Sequence, residues 1–208
     1  MGISIEQRKK ETNRITLWGV AVNLFLAVIK TAGGIMGQSQ ALLADGIHSL
    51  SDLASDAMVL VAAKHAGEDA DEDHPYGHGR YETLATVALG IILMGVAAGI
   101  AYDAILRLEN PEDIAIPAPF TLIIAMISIL SNEALYHATR AVAQKIRSPL
   151  LEANAWHHRS DAVSSIVVLL GIGATFIGYP LVDAIAAIIV ALMIGKIGLD
   201  LSRQSVQE

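Results

Sequence analysis

The stretch Ala155-Trp156-His157-His158-Arg159-Ser160-Asp161 sets a histidine and an aspartate, His157 and Asp161, four residues apart at the head of a long apolar run. The pattern recurs as His48 and Asp52 in Asp45-Gly46-Ile47-His48-Ser49-Leu50-Ser51-Asp52, which opens a second apolar run. On a helix, residues i and i+4 share a face and lie about 6 Å apart along the axis. Two such pairs facing each other offer four nitrogen and oxygen ligands, the tetrahedral set that a zinc-like divalent ion prefers.

Around these pairs the chain is too apolar for an ordinary soluble domain: 53% of its 208 residues are hydrophobic. Polar, Pro- and Gly-bearing stretches cut it into six apolar segments, near 15–37, 41–64, 81–106, 117–142, 149–177 and 181–201. Each is close to or above the roughly 20 residues that a bilayer core requires. The expected fold is all-α: a polytopic membrane protein with six transmembrane helices, both termini cytoplasmic. Residues 1–14 carry Arg8, Lys9, Lys10 and Arg14 with no signal-peptide cleavage pattern, which reads as a retained cytoplasmic arm before a transport domain over 15–204. The absence of cysteine removes thiolate ligands and argues against a copper(I) site. The net charge of -7 arises partly from one acidic loop, and nothing suggests a nucleic-acid partner.

With the amino terminus inside, Arg8, Lys9, Lys10, Arg14, Lys64, Arg80, Arg140, Lys145, Arg147, Arg159, Lys196 and Arg203 fall towards the inner face, and only Lys30 and Arg107 towards the outer. In that topology His48 and Asp52 lie about 10 and 17 Å below the outer boundary, and His157 and Asp161 about 10 and 17 Å above the inner one. Both pairs therefore reach the middle of a hydrocarbon core about 30 Å thick. Ionisable groups there cost roughly 2.5 to 3.5 kcal/mol each on the insertion scale and usually mark ion or proton pathways. A purely structural hydrogen-bond network is the bland alternative, but such glue is ordinarily Ser, Thr or Asn.

Other polar residues carry weaker signals. Asp45 and Asp56 share the helix-2 stripe, and either stage ions along a pathway or sit at a helix end near headgroups. In the loop Glu68, Asp69, Asp71, Glu72, Asp73 and His74-Pro75-Tyr76-Gly77-His78-Gly79-Arg80, the set Asp71, His74 and His78 suits a second cytoplasm-facing ion site; a solvated acidic turn is the competing reading. His158, rotated about 100° from His157, reads as a neighbour rather than a ligand. Lys30 is placed to snorkel to the surface, Asp103, Glu133 and Asp183 read as structural, and the glycines of helices 3 and 6 permit close helix approach.

Taken together, Ala44-Asp45-Gly46-Ile47-His48-Ser49-Leu50-Ser51-Asp52, the His74–Arg80 turn and Trp156-His157-His158-Arg159-Ser160-Asp161 resemble the cation diffusion facilitator family of divalent-metal/proton antiporters, in the same order and across all six helices. The resemblance implies a homodimeric exporter of zinc or a similar ion, working by alternating access in a bacterial inner membrane. It implies a transport site at His48, Asp52, His157 and Asp161, a loop site at Asp71, His74 and His78, and a charge-interlock role for Arg80. Members of that family usually continue beyond helix 6 into a cytoplasmic ferredoxin-like domain, and residues 205–208 are a stub at that point.

The rival from another class is an intramembrane zinc metallohydrolase using the same side chains. A catalytic zinc typically has three protein ligands, an open position and a separate acid or base, whereas two symmetric pairs favour carriage. A membrane scaffold with structural metal is the third reading. The expected substrate is Zn2+, with Cd2+, Fe2+, Co2+, Ni2+ and Mn2+ compatible with the donors. The expected counter-ion is H+, because imidazole binds metal only when neutral, and His48 and His157 are the candidate proton carriers.

Overall fold

The computed structural model describes residues 5–65, 79–109 and 116–207. Within them the chain forms six helices: α1 (Ile5–Met36), α2 (Gln40–His65), α3 (Gly79–Glu109), α4 (Phe120–Ile146), α5 (Pro149–Phe176) and α6 (Leu181–Gln207). Among the described residues, five helices are long and apolar enough to cross a bilayer. The all-α, polytopic reading therefore holds. The loop bearing Asp71, His74 and His78 lies outside the described residues.

Local sequence explains the helix ends. Ser39 accepts a hydrogen bond from Leu42 N at 3.1 Å and so caps α2. Ser148 does the same for α5 through Leu151 N, with Pro149 in the first turn, where its missing N–H costs nothing. Gln38 and Arg147 adopt left-handed backbone conformations that close the tight turns after α1 and α4. Residues 5–14 continue α1 as helix. Contacts with α4 and α5 include Glu11 accepting from Lys145 Nζ at 2.8 Å and Ile15 packing on Ala143, Ile146 and Leu151.

Much of the interior is small side chains, with Ala41, Ala44, Ala125, Ala187, Val168 and Val190 almost fully buried beside the larger Leu26, Leu42 and Tyr136. Large apolar side chains face outward on all six helices, including Leu24, Leu50, Ile92, Leu130, Leu170 and Leu192. That arrangement suits lipid as solvent, where association comes from close packing of small residues. α3 runs along α6, α4 along α5 and α1 along α2, with α2 also touching α5 and α6. The α1–α2 approach depends on Gly46: a Cβ added there would fall 2.5 Å from the Thr31 amide nitrogen. Gly90 and Gly198 similarly allow backbone contact between α3 and α6, whereas Gly95 and Gly99 have nothing within 4 Å.

Candidate metal centre

His48 stands eight residues after the first residue of α2, and His157 eight residues after the first residue of α5. Each pair therefore begins in the first half of its helix. Each Asp follows its His by one helical turn on the same face. The structure brings all four side chains together. Asp52 Oδ2 lies 3.8 Å from His48 Nε2 and 3.9 Å from His157 Nε2, and His157 Nε2 lies 3.8 Å from Asp161 Oδ2. One ligand atom each from His48, Asp52 and Asp161 lies within 4.8 Å of the others.

These separations are too long for direct hydrogen bonds. An ion with bonds of about 2.1 Å in tetrahedral geometry holds its ligand atoms about 3.4 Å apart. The cluster is thus wider than a coordination shell, and His157 approaches Asp52 and Asp161 from outside the compact group of the other three. The donor set also fits in burial. His48, Asp52 and Asp161 are largely enclosed, and His157 is the open member at 44% side-chain exposure. His48 Nδ1 is buried without a hydrogen-bond partner among the described residues, so the ring's polar capacity is not spent on holding the bundle together.

A cavity of about 460 Å3 adjoins the cluster, and its walls include residues that sequence reasoning missed. Ser55 extends the His48–Asp52 stripe, Ser160 precedes Asp161, and α6 adds Met193, Lys196 and Asp200. Lys196 and Asp200 are themselves four apart near the end of a largely apolar helix, the same signal that located the two His/Asp pairs. All these α2 and α6 residues except His48 lie C-terminal to the level of His48. The cavity accordingly runs from the site towards the end of the bundle where α2 and α6 finish and α5 begins.

On the other side of the site the polar groups are spent on one another. Lys30 is fully buried rather than snorkelling: its Nζ sits 3.1 Å from Asp45 Oδ2 and donates to Ser49 Oγ at 2.5 Å. Asp45 also accepts from Ser165 Oγ at 2.9 Å and from Ser164 Oγ at 3.3 Å, and Ser165 shares a hydrogen bond with Ser128 on α4. This network ties α1, α2, α4 and α5 together one turn from His48. His158 points away from the centre and packs on α1, where a Cβ added to Gly19 would lie 3.6 Å from its Nε2. Asp183 caps α2 from the first turn of α6, accepting from Ser39 Oγ and Gln40 N at 2.8 Å each, which gives that carboxylate a structural role.

Comparison with known proteins adds a separate finding. Residues 16–208 match the model of the cation efflux transmembrane domain. The chain is 36% identical over 215 residues to metal tolerance protein C1 of Arabidopsis thaliana, an alignment that covers 96% of this chain and 45% of the plant protein. It is 35% identical over 208 residues to the manganese efflux system protein MneP of Bacillus subtilis, covering 96% of this chain and 69% of that one. It is also 33% identical over 225 residues to mitochondrial metal transporter 1 of Saccharomyces cerevisiae, covering 94% and 43% of the two chains. The chain thus spans about half to two-thirds of the length of these curated relatives.

Proposed function

The chain belongs to the cation efflux, or cation diffusion facilitator, family of metal transporters, and from that premise we propose that it carries a divalent cation across a membrane through the His48, Asp52, His157 and Asp161 cluster. The observation that carries this reading is the sharing of one carboxylate: Asp52 Oδ2 stands within 3.9 Å of a histidine from each helix. Two imidazoles and two carboxylates supply a borderline donor set that suits zinc. Two carboxylates also neutralise a divalent charge, which lowers the cost of holding it near the centre of the bundle.

Transport requires that the ion reach the cluster from one side at a time. The cavity on the Ser55 and Asp200 side, against the Lys30–Asp45 network on the other, supports a form open towards the ends of α2 and α6. With both termini cytoplasmic, as the distribution of basic residues favours, that form faces inward and loads metal from the cytoplasm. Carboxylates and imidazoles must be deprotonated to bind metal, so a more acidic exterior displaces the ion by protonating its ligands. Proton-coupled export follows from that competition. Two symmetric His/Asp pairs favour carriage over a metallohydrolase, whose zinc ordinarily has three protein ligands, an open position and a separate acid or base. Function as a homodimer, as the family resemblance implies, belongs to this reading as well.

Manganese is the second reading for the cargo. It is favoured by the similarity to a protein named for manganese efflux and by the two hard oxygen donors. Flux of zinc and of manganese into proteoliposomes under a pH gradient tests both readings: zinc flux coupled to the gradient supports the first, and manganese flux alone the second.

A further inference from the structure

We propose that the end of α1 and the end of α4 form a binding site for the phosphate headgroup of an anionic phospholipid. Gln7, Lys10, Glu11 and Arg14, spaced along one face of α1, line a cavity of about 430 Å3 with Lys145 of α4. Glu11 neutralises one cation through its 2.8 Å bond to Lys145. The lining therefore keeps two positive charges in excess, on long exposed side chains suited to a phosphodiester.

The level of the cavity matches that ligand. Ile15, the next residue after Arg14, is packed on Ala143, Ile146 and Leu151, which marks where the apolar bundle begins. The charged cavity lies on the polar side of that line. One turn further into the bilayer, Trp18 is 66% exposed and its neighbour Leu17 69%, so an aromatic ring and an apolar chain stand at the level of the acyl chains. Basic pockets between helix ends at this depth fit anionic headgroups, and a free phosphate would leave the exposed Trp18 without a role. Residues 7–14 precede the segment that matches the family model, while Lys145 lies within it.

The experiment is native mass spectrometry of the full chain in detergent, titrated with phosphatidylglycerol or phosphatidylcholine. The unmodified protein should retain phosphatidylglycerol in preference, and Lys10→Gln/Arg14→Gln should lower its retention about tenfold or more, from the attraction of basic residues for anionic lipid. Lys9→Gln/Arg147→Gln removes the same charge outside the cavity and should leave retention unchanged. Equal loss in both double variants would reduce the effect to net charge and overturn the site, as would no loss in either. Displacement of phosphatidylglycerol by millimolar inorganic phosphate would overturn the lipid assignment. Matching circular dichroism of the two variants separates these results from misfolding.

Discussion

Lys30 Nζ lies 3.1 Å from Asp45 Oδ2 with both side chains only 1% exposed, one helical turn from a residue of the candidate metal centre. A buried pair of this kind is costly to break from one side, because the remaining charge stays in a low-dielectric interior without its partner. Asp45→Asn and Lys30→Met should each destabilise the protein by about 3–5 kcal/mol. Lys30→Met/Asp45→Leu, which removes both charges, should recover much of that loss. Unfolding in detergent reads the cycle, and strictly additive losses would contradict it. Metal flux through the folded double variant then tells a lock from a staging residue, since staging by Asp45 predicts flux lost even where stability returns.

The chain contains no cysteine, so a single introduced thiol reports accessibility without background. Asp200→Cys, on the wall of the open cavity, should react readily with a membrane-impermeant thiol reagent applied from the cytoplasmic side. Ser165→Cys, fully buried in the Asp45 network, should be protected from both sides. Labelling of Asp200→Cys only from the exterior would reverse the orientation.

Much of this arrangement could be read before the structure. The His48/Asp52 and His157/Asp161 pairs were visible because spacing of four places two side chains on one helical face. Lys196 and Asp200 carried the same spacing on α6 but held no histidine to mark them. The Lys30–Asp45 pair was not legible at all. Its partners are separated in sequence, and only the close α1–α2 approach at Gly46 brings them together. The helical form of residues 5–14, with Glu11 bonded to Lys145 of α4, was likewise not legible from their polarity alone.

Protons and metal compete for the same atoms if the cluster is the transport site. Apparent zinc affinity should fall as pH drops from about 7.5 to 5.5, the range in which an imidazole in water gains its proton. His48→Asp replaces an imidazole with a harder oxygen donor, so its pH response should be flatter and its preference should move from zinc towards manganese. Isothermal titration of both metals at several pH values checks this. An unchanged slope and metal ranking would remove His48 from both roles.

The acidic loop tests separately. Replacing Asp71, His74 and His78 together should weaken apparent metal affinity for transport more than it lowers maximal flux, because a run of carboxylates raises the local cation concentration. Unchanged apparent affinity would favour the solvated-turn reading.

The central claim is that one ion is held by both His/Asp pairs at once, and Asp52 is the residue that both histidines approach. The most direct measurement is zinc flux into proteoliposomes holding Asp52→Ala, with Asp161→Ala beside it and insertion and folding verified. Loss of a first ligand should exceed the 10- to 100-fold penalty typical of losing a supporting contact, so flux should fall by about hundredfold or more. Near-normal flux through well-folded Asp52→Ala would contradict the account.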